Sequence, residues 1–330
     1  MRFLLRRLAL YLIAAWAALT LDFLIPRLAP GDAAQALIAR SQGQLEPEAL
    51  EALRVTLGES DAPIHSQYLA FLGRTLTGDL GTSAAYYPAP VSTVIATGLV
   101  WTLVLAGAAV VISFVVGSLL GALAAWRRGG WLDGVLPPVL ALVGAFPYFW
   151  LAMLLLYGLG HHLGWFPLRH AYGDAIAPGW SASFLASVVR HAILPATTIV
   201  VATLGGWMLT MRNSMIAVLR EDHVALALAK GLPPRQVMLR YAARTALLPS
   251  LASFGMALGF VLSGALLTEI VFSYPGLGLL LLQAVRNQDF PLMQGLFLTI
   301  TLAVLAANLL VDLASAWLDP RVRDGARRSR

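Results

Sequence analysis

The sequence contains no cysteine, and that absence removes disulfides, thiolate nucleophiles and cysteine-ligated metal centres together. Charge is nearly as scarce: 12% of the 330 residues are Asp, Glu, Lys or Arg, 58% are hydrophobic, and mean hydropathy is +0.75. A water-soluble domain of this length does not show that balance, so lipid is the solvent for much of the chain. Also missing are H-E-x-x-H, G-x-S-x-G and the phosphate-cradling G-x-x-x-x-G-K-[ST]. Neither hydrolysis nor nucleotide binding therefore has a visible site, and any ATP that drives this protein is bound by another chain.

What is present is a series of long apolar runs. A helix needs about 20 apolar residues to cross roughly 30 Å of hydrocarbon. Six runs qualify, at 8–25, 98–125, 135–158, 192–211, 248–272 and 291–317, which predicts an all-α membrane protein with six transmembrane helices. The first exceeds the usual apolar core of a cleaved signal and lacks a small-residue cleavage site, so it is expected to be a retained span. With the N-terminus in the cytoplasm, the inside segments 1–7, 126–134, 212–247 and 318–330 hold 16 of the 23 basic residues. Short loops rich in Lys and Arg stay on the cytoplasmic side, which places both termini there. The net charge of +6 is then topological, and nucleic acid is not expected as a partner.

This layout gives a first helix within 1–25, an extracytoplasmic insert at 26–97, a five-helix core at 98–317 with a cytoplasmic loop at 212–247, and a basic tail at 318–330. The insert reads as two amphipathic helices. The stretch "PEALEALRVTLG" aligns Leu50, Leu53 and Leu57 and stops at Gly58; "PIHSQYLAFLGRTLTG" is expected to turn Tyr68, Leu69 and Leu72 inward. Two helices with so little apolar area hold no core alone, so they are expected to lie on the outer mouth of the bundle.

Within the spans, small residues recur at every fourth position: Ser113, Gly117, Gly121 and Ala125, then Gly255, Gly259 and Ser263. Such faces admit close helix approach, either within the chain or from a second subunit. Pro147 is expected to kink the third span. The flanking Phe146, Tyr148, Phe149 and Trp150 suit a pathway lining or plain packing. The span carboxylates Asp22, Glu269 and Asp312 all lie within a turn or two of a membrane end, where water or a headgroup reaches them. Asn308 and Asp312 share a helix face as polar glue. His161, His162, His170 and His191 gather in one outer segment, but adjacent histidines point apart and no carboxylate spacing supports a metal, so none is expected to be bound.

The cytoplasmic stretch "EDHVALALAKGLPPRQVMLRYAARTALLP" is too charged and too broken to span, yet helical in pattern. Its first half opens with Glu221 and Asp222, closes with Lys230 and stops at Gly231, as a helix dipole and a C-terminal glycine require. Pro233 or Pro234 then restarts a helix in which apolar residues alternate with Arg235, Arg240 and Arg244. The hairpin suits docking on a soluble partner and resting on anionic headgroups equally well.

This stretch resembles the loop bearing the EAA motif in permease subunits of bacterial ABC importers of the dipeptide, oligopeptide and nickel branch. Other fragments agree in order and spacing along nearly the whole chain: "FLLRRLALYLI", "PGD" at Pro30–Asp32, "GDLGTS" at Gly78–Ser83, "PYFWLAMLLL", "HAILPA", "GALLTEIVFSYPGLG", "QDFP", "NLLVDL" and "DPRVR". The resemblance implies a type I ABC importer permease fold in the inner membrane and no cofactor held by this chain, with ATP and Mg in partner ATPase subunits. It also implies a second homologous permease, two ATPase subunits and an extracytoplasmic solute-binding protein as partners. Asp222 to Gly231 would be the coupling helix. Ala227 and Gly231 match the motif's second alanine and its glycine, the motif's glutamate position falls on Ala225, and Glu221, Asp222, Lys230 and Arg235 would join the contact with the ATPase. Pathway and gate candidates are Phe146, Tyr148, Gly259, Ser263, Glu269 and Tyr274. Cargo is expected to be peptide, nickel chelate or a related solute. An ion-driven secondary transporter would instead show intramembrane charge pairs and matching broken halves, and a membrane hydrolase a catalytic set; the sequence shows neither.

Overall fold

The computed structural model describes residues 2–28, 62–259 and 265–318. Among them the regular structure is helical, with one isolated bridge between Thr82 and Pro90. We number the helices α1 (Arg2–Leu28), α2 (Ile64–Leu76), α3 (Val91–Trp126), α4 (Trp131–Gly144), α5 (Tyr148–Leu155, continued as a π-turn over Leu156–His162) and α6 (Ala182–Val218). They continue as α7 (Asp222–Ala229), α8 (Pro234–Gln236, π-helical Val237–Ala243 and Arg244–Gly259 end to end), α9 (Leu266–Val271), α10 (Leu277–Arg286) and α11 (Phe290–Leu318). Contacts divide the chain into two compact units, Met1–Thr102 with Pro275–Arg330, and Leu103–Tyr274.

In the first unit α1 packs along α11, and the Gln294 side-chain amide donates to the Asp22 carbonyl at 3.0 Å. The amphipathic α2 lies on the C-terminal half of α1. Phe23 meets Tyr68 edge-on at 5.1 Å and Phe71 at 5.5 Å, and Thr20 and Tyr68 share a hydroxyl bond of 2.8 Å. Tyr68 and Phe71 therefore form the inward stripe. Leu69, expected inward, is 66% exposed because it sits about 100° round the helix from Tyr68. The "PEALEALRVTLG" helix lies outside the described residues. The chain between α2 and α3 is held from below: the carboxylate of buried Asp289 accepts from the Ser83 hydroxyl and the Ala85 N–H. Tyr86 donates to Gln283, and burial with the Asp289 charge pushes its phenol pKa up, keeping it a donor.

The second unit is built on α6, 37 residues or about 55 Å long, capped by the Ser181 hydroxyl accepting from the Phe184 N–H at 3.2 Å. Helices α4, α5, α8 and α9 all pack on it. The small-residue face of α3 also packs here. A Cβ on Gly117 would lie 2.6 Å from Trp207 Cβ, one on Gly121 would lie 2.4 Å from the Met208 carbonyl oxygen, and Ser113 bonds Thr203 at 2.7 Å. Of the two readings open in the sequence, this face takes the one inside the chain. At the end of the same interface Arg212 donates to Asp133, whose second oxygen accepts from the Gly129 N–H at 3.0 Å.

The third expected span, 135–158, is not one kinked helix. Helix α4 ends at Gly144, Pro147 starts α5 with φ −57° and ψ 140°, and the two axes diverge by 101°. Proline disfavours the helical conformation in its predecessor, and at Phe146 the chain leaves α4. Four described helices are long and apolar enough to cross a membrane, five if this bent pair counts as one span. The expected span 248–272 is seen as α8 up to Gly259 and α9; residues 260–264 between them, Ser263 included, lie outside the described residues.

Candidate functional site

The eight residues of α7 form because Glu221 holds an extended N-cap conformation, Asp222 supplies an acid in the first turn, and Gly231 ends the helix at φ +72°. Gly231 N–H bonds the Leu228 carbonyl at 2.9 Å and Leu232 N–H bonds that of Ala227 at 3.4 Å, turning the chain sharply into α8. His223 pairs with the Glu221 carboxylate at 3.2 Å and reaches the Tyr241 carbonyl on α8 at 3.5 Å. The hairpin is thus closed at both ends.

One face of α7 is built into its own bundle. Val224 and Ala227, 1% and 3% exposed, join a buried cluster with Ala122 and Ala125 of α3, Met211, Met215 and Val218 of α6, and Val237, Ala242 and Ala246 of α8. The rest of its surface is free of the described residues: Asp222, Ala225, Leu226, Leu228 and Lys230 are exposed, as are Glu221, Gly231 and Arg235 beside them. Leu226 stands 56% and Leu228 49% exposed. The residues singled out in the sequence therefore split by role. Ala227 is an inward key; Glu221, Asp222, Ala225, Lys230, Gly231 and Arg235 lie on the open side. Leu226 and Leu228 were missed; Leu226 is out of phase with Val224 and Ala227 and so is marked in the sequence, whereas Leu228, four residues after Val224, is not.

The gate candidates separate in the same way. Phe146 and Tyr148, 43% and 38% exposed, flank the break at Pro147, whereas Glu269 and Tyr274 are fully buried. Helix α5 packs on α9, which brings the Tyr148 helix beside the Glu269 helix. Tyr274 N–H closes on the Glu269 carbonyl at 2.8 Å, and His170 N–H on that of Phe272 at 3.2 Å, strapping the segment between α5 and α6 to the end of α9. Gly259 is the last described residue of α8. Three of the four histidines go to separate partners: His170 to Asp174 at 3.0 Å, His191 to the Ser187 carbonyl at 2.7 Å, His161 against the Tyr157 ring.

A groove of about 470 Å³ that sequence reasoning did not anticipate runs between α4 and α6, with Ala141, Gly144, Gly206 and Trp207 in its wall. The hydroxyls of Thr203 and Thr210, also in the wall, bond carbonyls of their own helix at 2.8 and 2.9 Å, so they present no unmet polarity. Its signal was the Gly205–Gly206 pair inside an apolar run: a Cβ on Gly205 would lie 2.8 Å from the Leu140 carbonyl oxygen, while one on Gly206 meets nothing within 4 Å.

Residues 117–324 match the family described as binding-protein-dependent transport system inner membrane component. Over 98% of its length the chain is 36% identical to a putative peptide permease protein of Brucella suis, covering 99% of that protein. It is 34% identical to the di/tripeptide transport system permease protein DppB of Pseudomonas aeruginosa, with 97% and 98% of the two chains aligned. To the probable D,D-dipeptide transport system permease protein DdpB of Escherichia coli it is 35% identical over 92% of each.

Proposed function

Because the chain belongs to the family of inner membrane components of binding-protein-dependent transport systems and is a permease subunit of an ABC importer, we propose that it forms half of a translocation pathway for di- or oligopeptides, worked by alternating access. Its partners in this proposal are a second homologous permease, two cytoplasmic ATPase subunits that bind ATP and Mg, and an extracytoplasmic solute-binding protein. Both termini and α7 lie on the cytoplasmic side, in keeping with the basic residues at 1–7, 126–134, 212–247 and 318–330. The names of the three relatives favour peptide over nickel chelate as cargo.

The two-faced α7 carries the mechanical part of the proposal. Its outward face, with Leu226 and Leu228, docks on an ATPase; its inward face, through Val224 and Ala227, is packed against α3, α6 and α8. Nucleotide-driven closure moves the docked face, and the close-packed cluster passes the displacement to three helices because it cannot deform continuously. Binding energy shifts the access equilibrium only if the two states differ in their contacts, and such docking supplies the difference.

The lack of native cysteine allows a clean test. A single Leu226→Cys in the assembled complex is expected to crosslink to an ATPase subunit and to be shielded from impermeant thiol reagents applied outside. Labelling from outside, or no crosslink to an ATPase, overturns the docking. Uptake of labelled dipeptide against nickel chelate by the reconstituted complex with its binding protein decides the cargo.

A further inference from the structure

Asp22 is 4% exposed, and neither oxygen of its carboxylate has a hydrogen-bond partner among the described residues. Its backbone carbonyl accepts from Gln294, so the helix is tied at this point while the charged group is left over. An ionised carboxylate taken out of water without a counter-ion or donors is strongly unfavourable. Asp22 is one of the residues around a cavity of about 40 Å³ in the first unit, between α1, α2, the chain that follows α2, and the first turns of α11. That space suits a small ion with part of its hydration shell and is far below what an organic cargo needs.

The walls offer oxygens. Besides Asp22, the lining residues with side-chain oxygens are Thr75, Asp79, one of whose carboxylate oxygens already accepts from the Gly81 N–H at 2.9 Å, and Gln294, whose amide nitrogen donates to the Asp22 carbonyl. Among the described residues the charged groups around the cavity are Asp22, Asp79 and Arg74, a net charge of one negative. Arg74 stands on the exposed last turn of α2 and makes no hydrogen bond to the Asp22 carboxylate. Among the described residues no three His, Cys, Asp or Glu side chains gather as a divalent site would favour. One buried and one exposed carboxylate, offset by Arg74 to a single net negative charge and accompanied by neutral oxygens, match a monovalent hard cation.

We propose that this cavity binds one monovalent cation of sodium's size, held by Asp22, and that the ion fastens α2 and the chain following it to α1 and α11. The proposal is independent of the cargo and of the coupling mechanism, and its test needs no transport.

The purified complex is titrated with sodium chloride at constant ionic strength set by choline chloride, following thermal unfolding and the line width of the ²³Na resonance. Expected are a saturable rise of a few degrees in the unfolding temperature and a broadened resonance, both absent in Asp22→Asn. Arg74→Gln, which removes the competing positive charge, is expected to tighten apparent sodium affinity severalfold. Equal stability in sodium and choline together with an unbroadened resonance overturns the proposal and leaves the cavity to water. An undiminished sodium effect in Asp22→Asn overturns it also. If Asp22→Asn does not assemble, the wild-type titration and the Arg74→Gln comparison decide alone.

Discussion

The Ser83 hydroxyl donates to the carboxylate of Asp289, 206 residues further along the chain. Asp289 also accepts from the Ala85 N–H at 2.9 Å and the Leu292 N–H at 3.1 Å, and it is fully buried. It therefore caps α11 and anchors the segment leading into α3 at once. "GDLGTS" and "QDFP", two unrelated fragments when read along the sequence, are donor and acceptor of one junction.

Asp289→Ala strands these donors in a buried setting. The expected loss is about 3 kcal/mol, since bonds to a charged acceptor contribute about 1.5–3 kcal/mol and the stranded groups add their own desolvation. Asp289→Asn keeps an acceptor and should lose about half as much. Reversible unfolding of the two variants in mixed micelles checks the ranking; equal stability of Asp289→Ala and wild type removes the junction's role.

The glycines of α3 predict a contrast within one helix. Gly121→Ala places a Cβ 2.4 Å from the Met208 carbonyl oxygen, so α3 and α6 must separate, at a cost of about 1–3 kcal/mol. Gly107→Ala meets nothing within 4 Å and should be neutral or stabilise by up to about 1 kcal/mol through helix propensity. Unfolding of both variants under one condition tests the pair, and equal effects would contradict close packing at Gly121.

These cases show what the sequence makes legible. A stripe such as Ser113, Gly117 and Gly121 is local and periodic, so its existence can be read; its partner, Trp207 and Met208 on α6, is some 90 residues away and cannot. The apolar run through Pro147 signals burial in lipid, because hydropathy reports composition, but composition carries no direction and the 101° turn leaves no trace in it. Pro137 and Pro138 stay inside α4 while Pro147 begins a new helix, so proline alone does not locate the break either. In the stretch from Glu221 to Pro234 the reverse holds. Acid start, glycine stop and proline restart lie within a dozen residues, and α7, its end at Gly231 and the restart at Pro234 all fall where the pattern puts them. What the pattern could not show was which face of α7 is covered, since that depends on Met211 and Met215 of α6 and Val237 of α8.

The two faces of α7 should respond differently. Ala227→Leu forces three further heavy atoms into a site 3% exposed and should destabilise the subunit by about 1–3 kcal/mol, lowering its yield in the membrane. Leu226→Asp, at 56% exposure, should leave folding within about 0.5 kcal/mol of wild type but weaken copurification of the ATPase subunits. If Leu226→Asp retains the ATPases fully, the outward face is not the contact.

Gly231 allows conformation to be separated from bulk. A Cβ there would touch nothing within 4 Å, so there is no steric obstacle, but φ is +72°, where an L-residue loses about 1–2 kcal/mol and a β-branched one more. The turn fixes the angle at which α7 leaves the buried cluster, through the bonds to the Leu228 and Ala227 carbonyls. Gly231→Val should therefore populate a turn in which α7 is displaced, leave the spans assembled, and reduce peptide uptake per ATP hydrolysed by about tenfold, the ratio that 1.4 kcal/mol imposes on a two-state element. Gly231→Asn tolerates the left-handed conformation and should keep most of the coupling. Parallel assays of ATP hydrolysis and uptake in proteoliposomes separate the outcomes: a loss of both activities in Gly231→Val means failed assembly, full uptake means the turn is not part of the lever, and uptake lost while hydrolysis persists places the defect at the hinge between α7 and α8.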